Sequence, residues 1–316
     1  MAKQIILGNP IILSELNKKY DLKEYQFVNV QIGHDNAVYF LFSGHVPERI
    51  NGMFIDTQAN ADYKVICLHV DWTDGTIVRE ELIHLGVHEM NFHFVQPIGE
   101  NIILLGARCH MYSDGVAQKN AVIVDKAGQV LGAYCFGDGI QDCFVTSKSQ
   151  IITSYFDEGV FGNFGWGYPY APPIGECGLI KWDAQGTILW KNEKYNIYDC
   201  YAMNLDDREN LWFYYYDEFD LVKTDFKQDV VYHMDIAGSS AFVITEDGRY
   251  VLVDGGYEHH MMYKAAEILG NKLGVLFDVE IKCGENIKQA VLYAVRGSKA
   301  VFHEEGNFYL KSISGF

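Results

Sequence analysis

Three short acidic signatures recur along the chain: His88-Glu89-Met90, Gln141-Asp142-Cys143 and Tyr198-Asp199-Cys200, each just ahead of or inside an apolar strand pattern. If those strands are equivalent, Glu89, Asp142 and Asp199 stand around one opening. Carboxylates gathered in this way raise one another's pKa or recruit a hard divalent cation such as Ca²⁺, which prefers oxygen ligands. A structural explanation stands beside this one, because Asp caps turns through nearby backbone N–H groups, and a turn device recurs whenever a repeat is duplicated.

A second feature occurs once. Residues 154–173 read Ser-Tyr-Phe-Asp-Glu-Gly-Val-Phe-Gly-Asn-Phe-Gly-Trp-Gly-Tyr-Pro-Tyr-Ala-Pro-Pro, a long loop that the other repeats lack. Asp157, Glu158 and Asn163 supply polar ends, and Trp166 and Tyr168 supply flat apolar faces between glycines. The corresponding loop of the preceding repeat brings Arg108 and His110. Together they predict a binding surface for a small polar or carbohydrate-like ligand, or for a protein partner. The structural alternative is that the aromatics pack the loop onto its neighbour. Asp217 and Glu218, and Glu258 with His259 and His260, occupy equivalent loops further on. Neighbouring strand residues point to opposite faces, so His259 and His260 serve one metal only across a turn. No Gly-x-Ser-x-Gly elbow, phosphate-binding Gly-x-x-x-x-Gly-Lys or His-Glu-x-x-His is present.

What must position these residues is a repeated pair of hairpins. In one kind an apolar strand ends in Asp and a Gly-containing turn leads to a second apolar strand, as at Asp71/Gly75, Asp125/Gly128 and Asp183/Gly186; Asp225 keeps the Asp but has Gln228 for Gly. The other kind alternates with it, as in Phe92–Val95 with Ile102–Leu105, Cys143–Thr146 with Ile151–Phe156, and Tyr201–Asn204 with Leu211–Tyr216. Two hairpins make four strands, the unit of a propeller blade.

The expected fold is therefore all-β, a single β-propeller over residues 1–316 with blades at 26–86, 90–137, 140–193, 199–238 and 240–281. A sixth blade supplies three strands between 290 and 311, and Gln4–Leu7 would pair with the last of them to close the ring. Five or seven blades are the alternative counts, and a β-sandwich is the alternative architecture. Tyr263–Leu269, rich in helix formers, reads as a helix as well as a strand. Function is expected at the channel mouth, where the connections into the first strand of each blade emerge.

Tyr155–Asn163, followed by Gly165-Trp166-Gly167 and by Gly178–Asp183, resembles bacterial β-propeller proteins of unknown function. That resemblance implies the fold and no activity. At blade level the pattern is distantly similar to six-bladed calcium-dependent lactonases, whose metal is held by Glu, Asn and Asp, although none of those ligands aligns with a residue here. Gly186–Trp190 is similar, in one copy, to the Trp-containing repeat of quinone-cofactor propellers.

The 316 residues carry 42 acidic and 25 basic side chains, a formal net charge of −17, which repels phosphate backbones and anionic membranes. Neither nucleic acid nor a membrane is an expected partner. No apolar run approaches the roughly 20 residues of a membrane span. Residues 1–10 lack a signal peptide's apolar stretch and read as mature sequence. Seven scattered cysteines without metal-site spacing point to a reducing, cytoplasmic setting, most of them serving as small buried hydrophobes. Two functions follow: a ligand- or protein-binding propeller with no certain cofactor, or a divalent-cation-dependent hydrolase or lyase. Whether the chain is an enzyme is left open at this point.

Overall fold

The turn at Asp183 shows how these residues build sheets. Its carboxylate accepts the backbone N–H groups of Gln185 and Thr187 at 2.9 and 2.8 Å, fixing the hairpin between Leu179–Trp182 and Ile188–Lys191. Asp125 does the same with Ala127 and Gln129, and Asp225 with Lys227 and Gln228. The Asp of this hairpin is thus a turn device.

The computed structural model describes residues 3–50, 53–54 and 57–316; Met1 and Ala2 of the expected mature N-terminus lie outside the described residues. Four four-stranded sheets follow one another along the chain. The first holds Gln26–Ile32, Val38–Ser43, Gln58–Asp71 and Thr76–Met90, and the second Phe94–Ile98, Asn101–Leu105, Ala121–Val124 and Val130–Tyr134. The third runs through Ile140–Val145, Ile151–Tyr155, Leu179–Trp182 and Ile188–Lys191, and the fourth through Asp199–Leu205, Leu211–Tyr216, Leu221–Thr224 and Asp229–Tyr232. At the end of the chain, Val291–Arg296, Lys299–Glu304 and Asn307–Ser312 make another four-stranded sheet with Ile11–Ile12.

This is a β-propeller, with five four-stranded blades among the described residues rather than the six expected. The segment 240–283 departs from the blade pattern. Phe242–Ile244, Tyr250–Asp254, Tyr263–Leu269 and Phe277–Cys283 join Lys3–Leu7 and two short strands in a seven-stranded sheet. Tyr263–Leu269 is a strand there, not a helix: pairing on both sides, with Tyr250–Asp254 and Phe277–Val279, overrides its helix-forming composition.

The N-terminal pairing also differs from expectation. Lys3–Leu7 runs parallel to Phe277–Cys283, with Lys3 opposite Val279, and does not pair with the last strand. Ile5 and Leu7 are buried while Ile6 is exposed, the alternation of an edge strand with one covered face. The fourth strand of the last sheet comes instead from Ile11–Ile12, opposite Phe308 and Asn307.

Contacts gather the chain into two compact units, one of residues 1–21, 70–78 and 201–316, the other of 22–69 and 79–200. In the first, Trp212, Tyr214, Phe242 and Val251 share an apolar core. In the second, Phe94, Leu105, Phe136, Ile140, Tyr155 and Trp182 fill the space between the second and third sheets. The candidates from Glu89 to Asp199 belong to the second unit, whereas Asp217, Glu218, Glu258, His259 and His260 belong to the first. Among the described residues, no helix is long and apolar enough to cross a membrane.

Candidate functional site

The 154–173 loop is seated by close backbone approach. Tyr155 closes the strand Ile151–Tyr155, and its hydroxyl donates to the Phe136 carbonyl at 2.6 Å. Gly139 follows, at a φ of +70°, where a Cβ would lie 2.2 Å from the Gly159 nitrogen. Only glycine lets the 137–139 turn and the short helix Asp157–Phe161 touch in this way. The contact brings Asp138 and Glu158 to opposite sides of Arg108.

Arg108 is 3% exposed and Asp138 1%. The guanidinium donates through Nε and Nη2 to the two Asp138 oxygens at 2.9 and 2.8 Å, and its Nη1 lies 2.5 Å from Glu158 Oε2. Phe164 covers its face at 4.2 Å. The Cys109 N–H adds a 2.7 Å bond to Asp138. Burial pushes the Asp138 carboxyl up, and Arg108 with the Cys109 amide pulls it partly back. Arg108, expected to face a ligand, spends its charge on Asp138 and on Glu158, the latter keeping 29% of its side chain exposed.

Trp166 is likewise an anchor. It is buried, and its indole N–H donates to the Cys109 carbonyl at 2.8 Å. Asn163 is exposed, and its side-chain oxygen accepts the Phe164 N–H at 2.7 Å. The His110 ring meets Phe164 edge-on at 4.6 Å and stacks on Tyr112 at 5.7 Å. The packing explanation therefore holds for the inner half of the loop. The outer half is different, because Phe161, Tyr168 and Tyr170 remain exposed. Between it and the 111–115 segment lies a groove of about 500 Å³ lined by Met111, Tyr112, Ser113, Pro169, Tyr170 and Ala171.

The three recurring carboxylates do not form a cluster. Glu89 is exposed near the end of the long strand Thr76–Met90, which runs four residues past the expected blade boundary, so it does not lie on a connection into a first strand. Asp142 sits in Ile140–Val145, accepting the Cys143 N–H at 2.7 Å and Gln31 Nε2 at 3.1 Å. Among the described residues, no three His, Cys, Asp or Glu side chains group closely enough to hold a metal, so the expected trio does not fit a Ca²⁺ site. Asp199 does gain a neighbour. Burial, and then the charge of Asp157, raise its carboxyl to about 7, and its Oδ1 is shielded from solvent without a hydrogen-bond partner.

Asp142 is also raised to about 7, by enclosure that outweighs its two hydrogen bonds. An unfolded aspartate titrates near ~4. Below that pH both states hold the proton and enclosure costs nothing. As pH rises from about 4 to about 7 the unfolded chain releases its proton while the folded chain keeps it, so stability falls. Asp142→Asn retains an acceptor oxygen for both donors. It is expected to stabilise the protein by about 2 kcal/mol at pH 8, less than the full worth of the displaced proton because the site is partly wet, and to give no gain below about pH 4. Denaturant titrations at the two pH values measure the difference.

Sequence reasoning missed Asp138 and Tyr112. The flanking Gly137 and Gly139 were the available signal for Asp138, since both hold positive φ around it. Tyr112 carries no local signature.

Sheets and site together define a β-propeller bearing a loop-built groove. No protein-family profile matches the chain, and no curated protein matches it in sequence. In solved structures it is similar to a chain of the mitotic checkpoint complex, with 8% identity, a TM-score of 0.50 and 90% of each chain covered. It is also similar to a gluconolactonase from Xanthomonas campestris, with 10% identity, a TM-score of 0.45, and 98% of this chain and 97% of that one covered. A virginiamycin B lyase from Staphylococcus aureus gives 10% identity and a TM-score of 0.45 over 96% and 98%. At these identities the likeness is one of fold.

Proposed function

We propose that the protein binds a small carbohydrate-like ligand in the groove between residues 111–115 and 169–171. The observation that carries this reading is a pair of tyrosines, Tyr112 at 43% and Tyr170 at 72% exposure, on a groove whose volume is in the range of small-molecule sites. Tyrosine rings offer apolar faces with a polar tip, which suits a sugar ring with one C–H face and hydroxyl edges. Ser113 and the loop backbone supply further hydrogen-bonding groups.

Saturation-transfer NMR with a panel of neutral mono- and disaccharides tests this. At least one saccharide is expected to receive saturation, and Tyr170→Ala is expected to weaken its binding about tenfold, since loss of an aromatic stack costs on the order of 1 kcal/mol. No saccharide signal, or one indifferent to Tyr170→Ala, would overturn the proposal.

A second reading, a hydrolase or lyase, is favoured by the Asp157–Asp199 pair. Two carboxylates of which one holds its proton near neutral pH are suited to general acid and base roles. The same spectra, recorded with and without added Ca²⁺, report turnover. New saccharide resonances that vanish in Asp199→Asn would select this reading.

A further inference from the structure

Two cysteines meet beneath the loop. The Sγ atoms of Cys109 and Cys135 are 3.6 Å apart, both thiols are free, and Cys135 is the more accessible of the two. A disulfide has its sulfurs about 2.05 Å apart, so an approach of roughly 1.5 Å would join them. The partners are held by different elements. Cys135 directly follows the strand Val130–Tyr134, and the next residue, Phe136, is fixed by Asn120 at its N–H and by the Tyr155 hydroxyl at its carbonyl. Cys109 lies in the connection after Asn101–Leu105 and is a junction of the site. Its N–H holds Asp138, its carbonyl holds Trp166, and its chain neighbour is Arg108.

We propose that Cys109 and Cys135 form a reversible disulfide in the presence of a hydroperoxide, and that its formation shifts the Cys109 backbone enough to loosen the docking of the 163–171 loop. The chemistry balances as a two-electron oxidation. The Cys135 sulfur attacks a peroxide oxygen, giving a sulfenic acid, and the thiol proton leaves with the departing alkoxide, or with hydroxide when the oxidant is hydrogen peroxide. The Cys109 sulfur then attacks the sulfenic sulfur, and its proton leaves with the sulfenic oxygen as water. The hydrogen bond between the two sulfurs holds the Cys135 thiol below its ordinary range, and this, with its greater exposure, favours Cys135 as the attacking sulfur. The inference concerns the loop and does not depend on what ligand the groove takes.

The loop reports on its own docking, because the Trp166 indole is bonded to the Cys109 carbonyl. Wild-type protein treated with hydrogen peroxide and then alkylated is expected to yield a cross-linked peptide pair containing Cys109 and Cys135, monomeric on a non-reducing gel and released by dithiothreitol. Tryptophan emission is expected to shift in parallel, and Trp166→Phe to remove that shift. Cys135→Ser and Cys135→Ala should each abolish both signals while leaving the melting transition cooperative. Recovery of both thiols in alkylated form overturns the disulfide, and a cross-link without an emission change overturns its coupling to the loop. The peptide map needs no variant, so a substitution that folds poorly leaves the test decisive.

Discussion

Replacement of Arg108 by alanine is expected to lower the unfolding free energy by about 3–5 kcal/mol, the usual cost of stranding one partner of a buried ion pair. The cost comes from what remains. Asp138 is 1% exposed and would lose both guanidinium bonds, keeping the Cys109 N–H among its partners, while Glu158 would lose the cation beside it. Burial already raises the Asp138 carboxyl; without Arg108 it rises further, so the folded variant takes up a proton where the unfolded chain does not. The sign follows from linkage: with the folded pKa above the unfolded one, the stability of the variant falls as pH increases between them. The deficit relative to wild type is therefore expected to be largest near pH 8 and to shrink towards pH 5. Arg108→Lys keeps the charge but loses the two-pronged geometry, and is expected to fall between the two. Denaturant midpoints for the three proteins at both pH values check the order, and a loss for Arg108→Ala that does not vary with pH would rule out the stranded-carboxylate account.

That ion triad also marks where the sequence stopped being legible. The hairpins could be read because their determinants are local: an Asp and the turn it caps lie within four residues, as Asp183 and Thr187 do. Arg108, Asp138 and Glu158 are separated by whole strands and converge only after the second and third sheets have packed. Trp166 looked like a ligand surface because its type suits one. Its partner, the Cys109 carbonyl, is a backbone atom, and no residue type could have announced it.

Pairing across long separations failed for a related reason. Gln4–Leu7 and Ile11–Ile12 are both short apolar runs, so composition did not decide which completes the last sheet. Parallel pairing of Lys3–Leu7 on an edge strand has no hairpin signature at all. Glu89 was displaced by a shorter error. The last strand of the first sheet runs to Met90: Ile83, Leu85, His88 and Met90 are buried along it while His84, Val87 and Glu89 face out.

The groove itself depends on one backbone contact, which makes Gly165→Ala the substitution with the largest expected effect on binding. Gly165 has a φ of +87°, and a Cβ there would lie 2.1 Å from the Met111 carbonyl oxygen. The positive φ alone costs about 1–2 kcal/mol for alanine, and the overlap is with main chain that cannot rotate away. The Phe164 carbonyl accepts the Met111 N–H at 2.9 Å in the same place, so the segments cannot part slightly without losing that bond. The least costly relief is to lift residues 163–171 as a piece, separating Pro169, Tyr170 and Ala171 from Met111 and Tyr112. Because the strands on either side are untouched, the cooperative melt is expected to fall less than in Arg108→Ala. Saccharide saturation is expected to disappear, Trp166 emission to shift towards that of exposed indole, and cleavage by a nonspecific protease to appear within 163–171. Tyr170→Ala separates the two causes, since it is expected to weaken binding while Trp166 emission and protease resistance stay as in wild type. A Gly165→Ala protein with unchanged emission and an uncleaved loop would show that the groove does not depend on this contact.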